Sequence, residues 1–232
     1  MEWTDQGIIL SVRRHGESAA VLSLLTRDHG RHAGLVKGGA GKSARGSLQP
    51  GNRIQAIWKA RLHDHLGQIA WEQAEASGTR WLDDPARLAA VTSACALCDA
   101  VFPERDPHPQ AFDGLRALLS ALHEKEFSSI YIYWEIGLLS ELGFGLDLSQ
   151  CAAGGSGQLA YVSPKTGRAV SAEAGEAYKD KLLPLPRFLL TREAGSPAEI
   201  KAALALTGFF LDRLILGPMG KRLPEGRGRL CP

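Results

Sequence analysis

Ile54-Gln55-Ala56-Ile57-Trp58-Lys59-Ala60-Arg61 is the stretch whose reading decides the fold. Apolar and polar residues alternate along it, and a period of two is the signature of a strand with one buried face. If Ile54, Ala56, Trp58 and Ala60 point to an interior, Arg53, Lys59 and Arg61 point outward together. Leu48-Gln49-Pro50-Gly51-Asn52 precedes it, and Pro50-Gly51 suits the centre of a tight turn. Leu66 to Ala74 comes after it as another strand.

Upstream the same grammar repeats. Ile8 to Val12 predicts a first strand, ended at His15-Gly16; Ala20 to Leu25 predicts a second, with an Asp28-His29-Gly30 turn behind it; His32 to Val36 predicts a short third. Gly38 to Gly46 holds four glycines and predicts a flexible loop. Five short strands with a loop after the third describe a small five-stranded barrel.

Past Trp81 the period changes. Asp83-Asp84-Pro85 is a helix start, with an Asp cap and Pro in the first turn. Helices are predicted over 86–102, 111–122, 129–142 and 197–216, with Ser196 capping the last. Residues 150 to about 180 are irregular and rich in Gly, Ser and Pro, and the basic tail, about 217–232, reads as mobile. The expected organisation is α+β: a barrel domain over 1–80 and a helical domain over 81–232.

Charge is unevenly placed along the 232 residues, although the net is only +2. From Arg13 to Arg61 ten basic residues face two acidic ones, a net of +8; Arg213 to the end carries +4; residues 81–212 carry −6. Such asymmetry suggests a polyanion for the two ends. The candidate DNA contacts are Arg13, Arg14, Arg31, Lys37, Lys42, Arg45, Arg53, Lys59 and Arg61, able to track phosphates and release counterions. Aromatic residues to stack on bases are few: Trp58, if it faces outward instead, or Trp71. Phosphate-dominated, sequence-tolerant binding is therefore expected.

Other motifs point away from catalysis. Gly41-Lys42-Ser43 imitates the end of a phosphate-binding loop, but the first glycine of that pattern is replaced by Val36, which speaks against a nucleotide-handling enzyme. Cys95 and Cys98 sit in an apolar helical run, where cysteine acts as a small hydrophobe. His63-Asp64-His65 offers two imidazoles and a carboxylate in a turn, without a further ligand nearby. There is no nucleophile elbow and no pair of carboxylates placed for acid–base work. Catalytic residues, metal and cofactor are all expected to be absent. Four scattered cysteines, an acidic N-terminus and no apolar run of bilayer length predict a cytoplasmic protein without a membrane span.

Several segments resemble one family. Met1-Glu2-Trp3, Gly7-Ile8-Ile9-Leu10, Gly16-Glu17, Leu25-Thr26, His29-Gly30-Arg31, Leu35-Val36-Lys37-Gly38 and Leu48-Gln49-Pro50-Gly51-Asn52 are similar to the N-terminal domain of the RecO recombination mediators. Glu135, Leu142 to Leu148, Cys151-Ala152, Tyr161 to Val170 and Leu182 to Pro186 continue the resemblance, which reaches about Leu223. It implies an OB-fold succeeded by a mostly helical domain. It implies binding and annealing of single- and double-stranded DNA, and cooperation with RecR to load RecA on strands coated by single-strand-binding protein. It also implies a nucleoid-associated place in the cytoplasm. Many relatives carry a four-cysteine zinc module in the middle segment; here Cys151 alone remains, with Gly154-Gly155 nearby, so a zinc-finger-like segment without its ligands is expected. A mediator must also meet the acidic, apolar tail of single-strand-binding protein, for which Arg116, Lys125, Arg187 and Arg213 are candidates. The competing readings are a structural adaptor with little DNA affinity and a phosphate-handling enzyme built on Gly41-Lys42-Ser43.

Overall fold

A computed structural model of the chain describes residues 1–62, 65–155 and 157–230. His63 and Asp64 of the histidine-rich turn lie outside the described residues, as do Cys231 and the side chains of Ser43, Gln73 and Ala74.

The alternating segments form a closed barrel. Its strands are β1 (Glu2–His15), β2 (Ala19–Thr26), β3 (Gly30–Val36), β4 (Arg53–Lys59) and β5 (Gln68–Glu75), with α1 (Lys42–Ser47) between β3 and β4. The order around the barrel is β1-β2-β3-β5-β4, the arrangement of an OB-fold. β1 serves two neighbours: Glu2 to Ile8 pair with β4, and Gly7 to His15 pair with β2. A bulge between Ile9 and Ser11 interrupts the second ladder, and such an extra residue bends a strand so that a sheet can close. Closure falls between β3 and β5, where one parallel pair, Leu35 with Gln68, joins them.

Inward side chains obey the alternation. Ile9, Leu22, Leu24, Val36, Ile54, Ala56, Trp58 and Ile69 make one core. Trp58 is 1% exposed, stacks on Trp3 at 5.7 Å, and meets His32 edge-on at 5.3 Å. Its indole N–H points to the carbonyls of Leu66 at 3.1 Å and Ala33 at 3.3 Å. Burying that ring contributes on the order of 2–3 kcal/mol.

The glycine-rich segment after β3 corrects the expectation of a loop. Lys42–Ser47 is helical, and Ala40, Ala44 and Leu48 are buried. Their spacing of four sets one apolar face on the barrel, which outweighs the poor helix propensity of the flanking glycines.

By compactness the chain divides into Met1–Leu122 with Pro224–Arg229, and His123–Leu223 with Leu230. The first unit thus includes α2 (Pro85–Val101) and α3 (Pro109–Ala121). Asp84 caps α2, its carboxylate accepting from the Arg87 N–H at 3.0 Å. α2 packs on β1 and β2, and α3 on β2. Asp99 of α2 accepts from the hydroxyls of Ser11 at 2.9 Å and Ser23 at 2.6 Å. These residues cover the barrel's outer face there.

The second unit holds α4 (Phe127–Glu141), strands β6 (Leu159–Val162), β7 (Ala169–Ser171) and β8 (Leu183–Pro184) in a sheet ordered β7-β6-β8, the short turns α5 (Ala172–Gly175) and α6 (Phe188–Thr191), and α7 (Pro197–Phe210). α7 runs on as a π-helical segment, Leu211–Leu216. α4 packs on α7, and at their centre the Thr207 hydroxyl donates to the buried Glu135 carboxylate at 2.5 Å. The irregular middle segment is therefore built on three short strands. In the tail, Glu225–Leu230 form a 3-10 turn with Arg227 and Leu230 buried, an order that the Gly and Arg content does not announce.

Candidate nucleic-acid interface

Register alone assembles the site. Directly paired residues share a face of the sheet. Arg13 pairs with Val21, Val21 with Leu35, Leu35 with Gln68, Gln68 with Lys59, and Lys59 with Glu2. These six side chains form one row across the outer surface of all five strands. Lys37 and Arg61 stand two residues beyond Leu35 and Lys59 on the same side, both exposed. The ends of β3 and β4 thus bring Lys37, Lys59 and Arg61 to one end of the barrel.

Between them the surface is hollow. A groove of about 430 Å³ is lined by Glu2, Leu35, Val36, Lys37, Ile57, Lys59, Gln68, Ile69, Ala70 and Trp71. A second hollow of about 390 Å³, bounded by Ala60, Arg61, His65, Leu66 and Gly67, shares Leu35, Lys59 and Gln68 with it. The two are one depression over the seam where β3 and β5 part. Its floor is apolar and its rim cationic. The one carboxylate lining it among the described residues is Glu2, which holds Lys59 at 2.7 Å. Both partners are well exposed, so this pair is worth at most about 1 kcal/mol and yields to a competing anion.

The other expected cations divide. Arg14, exposed at the end of β1, donates to the Glu17 carbonyl at 3.3 Å. The loop after β3 leans on the same turn, since the Ala40 N–H donates to the Ser18 carbonyl at 3.0 Å, and Arg45 of α1 points back to the Ala40 carbonyl at 3.3 Å. Lys42 is exposed on that helix. Arg31 and Arg53 have other work. Arg31 donates to the Phe102 carbonyl at 2.7 Å and meets Asp99 and Glu104 at 3.4 and 3.5 Å. Arg53, at the far end of β4, meets Glu75 at 2.9 Å. Within the helical elements Arg116 pairs with Asp113 in the first unit; in the second, Arg213 lies over the Phe209 ring at 5.7 Å, and Lys125 and Arg187 are exposed.

Trp58 is inside, so the base-stacking alternative that had it face outward is ruled out; Trp71 is partly buried, pairs with the buried Ala56 and packs against the barrel core. The apolar floor escaped the charge-led reading. Ile57 carried a signal nonetheless: it occupies an outward position in the alternation of β4, and 37% of it is exposed.

Burial pushes the Cys95 thiol up to about 12 and the Cys98 thiol well above its usual value, so both are inert. Cys151 is buried, and the Ser171 N–H donates to its sulfur at 3.3 Å, holding the thiol below its ordinary value. A tetrahedral zinc needs four N or S ligands, and among the described residues no group of three His, Cys, Asp or Glu could hold a metal. The donor set does not fit zinc. Among the described residues no helix is long and apolar enough to cross a membrane.

Comparison with known proteins agrees with this architecture. Residues 1–77 match the family profile "Recombination protein O N terminal" and residues 82–223 match "Recombination protein O C terminal". The chain is 55% identical over 232 residues to the DNA repair protein RecO of Rhodospirillum centenum, covering 99% of this chain and 93% of that one. Identity to the RecO of Rhodospirillum rubrum is 49%, covering 99% and 94%. With that of Methylobacterium nodulans it is 46%, covering 98% and 95%. By both its domains and its whole length, the chain belongs to the RecO family of recombination proteins.

Proposed function

We propose that this protein is a non-catalytic, DNA-binding mediator of recombinational repair. It acts in the cytoplasm on the nucleoid, in the RecF pathway. It binds and anneals strands, and helps RecR load RecA onto single strands coated with single-strand-binding protein. The observation that carries the DNA-binding part is the convergence of Lys37, from the end of β3, with Lys59 and Arg61, from the end of β4, on one open groove. Cations held a few residues apart on a rigid sheet can track a phosphate backbone, and each contact releases counterions. Arg13, Arg14, Lys42 and Arg45 extend the cationic surface away from the groove, whereas Arg31 and Arg53 are structural. Contact with the acidic tail of single-strand-binding protein falls to the cations of the helical elements.

The test is a salt titration of binding to a fluorescent single-stranded oligonucleotide, wild type against Lys37→Ala/Lys59→Ala/Arg61→Ala. For single strands the log–log slope is about −0.7 per neutralised phosphate, so the variant should bind more weakly with a slope shallower by about 2. An unchanged slope moves the DNA site away from this end of the barrel. No binding by wild type leaves the adaptor reading in its place.

A further inference from the structure

The seam between β3 and β5 is fastened by more than its one strand pair. Backbone groups alternate in direction along a strand, and Arg31, Ala33 and Leu35 all use theirs on the side of β3 away from β2. Each meets a different partner. The Leu35 N–H donates to the Gly67 carbonyl at 3.0 Å. The Ala33 carbonyl shares the Trp58 indole N–H with the Leu66 carbonyl, at 3.3 and 3.1 Å. The Arg31 carbonyl accepts from the Arg105 N–H at 2.8 Å, beside a parallel bridge between Arg31 and Glu104. Residues 102–108, which connect α2 to α3, thus lie along β3 where β5 does not. They are held closely there. The Arg31 side chain donates to the Phe102 carbonyl at 2.7 Å, and a Cβ on Gly30 would run into the Asp106 backbone.

Arg105 sits at φ +65°, a left-handed conformation that glycine takes freely and side chains rarely adopt. An arginine kept at such a position directs attention to its side chain. The guanidinium Nη2 donates to the His65 carbonyl at 3.0 Å. One residue therefore spans the seam, its backbone on β3 and its guanidinium on the connection from β4 to β5. The link continues, because the His65 N–H donates to the Leu62 carbonyl at 3.2 Å, and Arg61 is the residue before Leu62. Resting on the DNA-binding reading above, we infer that Arg105 is a positioning residue: its span across the seam holds Arg61 opposite Lys37 and keeps the joint shut, without contact to DNA of its own. A cation already held in place loses less conformational freedom when a phosphate arrives. Charge along the sequence conceals this role, since Arg105 lies in the acidic stretch between the two basic ends.

The experiment uses the full chain as wild type, Arg105→Gly and Arg105→Lys. Glycine suits the backbone and removes the span, whereas lysine keeps the cation and a donor. Hydrogen exchange, urea unfolding and a salt titration with a fluorescent single-stranded oligonucleotide are measured on each. In Arg105→Gly the Leu35 amide should exchange roughly 10-fold faster, the effect of losing one hydrogen bond from a charged donor. Leu24 exchange and the urea midpoint should stay near wild type, because relief of the left-handed backbone offsets the lost bond. The oligonucleotide should bind about 3- to 10-fold more weakly, with an unchanged salt slope, and Arg105→Lys should recover most of both losses. Unchanged exchange at Leu35 overturns the span, whatever the DNA does. Faster exchange with unchanged affinity overturns the positioning role and leaves the DNA reading standing, whereas a wild type that binds no oligonucleotide overturns that reading instead. A slope shallower by about 0.7 would make Arg105 a phosphate contact itself and overturn the positioning role. A midpoint that falls together with faster exchange at Leu24 overturns it too, since the residue would then support the whole barrel. If Arg105→Gly does not fold, wild type decides: the Arg105 and Leu35 amides should be equally protected, and an Arg105 amide far less protected than that of Leu35 overturns the inference.

Discussion

Gly30 illustrates how much one position can be asked to do. It closes the turn after Asp28-His29 at φ +71°, and a Cβ there would lie 2.1 Å from the Asp106 carbonyl oxygen. The left-handed conformation costs a side chain about 1–2 kcal/mol, and the blocked carbonyl adds to it. Gly30→Ala should lower stability by about 2–3 kcal/mol, measured as a lower urea midpoint with unchanged slope. The sequence signals the turn, because Asp-His-Gly is turn chemistry. It carries no signal of Asp106, which is 76 positions away in the chain. Arg31, one residue on, makes the same point about function. Its charge looked available for phosphate, but Asp99, Glu104 and the Phe102 carbonyl surround it. Partners distant in sequence decide whether a cation is a contact or a strut.

Elements were legible where period and punctuation agreed. The strands of the barrel announced themselves through alternation, and α2 through Asp84-Pro85. α1 did not, because glycines flank it and its evidence is three apolar residues spaced by four. α7 begins with a complete capping box: the Glu199 N–H donates to the Ser196 hydroxyl oxygen at 3.4 Å, and the Ser196 N–H donates to the Glu199 carboxylate at 3.0 Å. Hydrogen bonds from the Ser196 side chain and backbone hold the Glu199 carboxyl below its ordinary value. A carboxylate with a depressed value in the folded state adds stability above its unfolded value and loses it as pH falls through the folded one. Wild type should therefore be more stable than Glu199→Gln at neutral pH, by about 1 kcal/mol. The difference should shrink as pH drops through and below the carboxylate range. Urea unfolding of both proteins across that range checks it; a constant difference would mean that the charge plays no part in the cap.

At the scale of the molecule, the net charge of +2 conceals a division of labour. The α+β architecture was legible because the period switches from two to about 3.6 near Trp81. The compact units were not, since α2 and α3 group with the barrel although their period is that of the helical half. The candidate site was half legible: the cations could be counted, but the row that gathers Arg13, Lys59 and Gln68 needs strand register, which no local pattern specifies. The barrel also has an unequal seam. Four of its joints are ladders of seven or more paired residues, and the fifth is the single pair of Leu35 and Gln68. Local opening begins where the fewest hydrogen bonds must break. The amide of Leu35, which donates across this seam to the Gly67 carbonyl at 3.0 Å, should exchange its hydrogen with deuterated solvent well before those of Leu24 and Ile54, and a bound single strand should slow it. Exchange at Leu35 as slow as at Leu24 would mean that the seam is tight. A barrel that breathes at one joint can admit a flexible strand there without unfolding anywhere else.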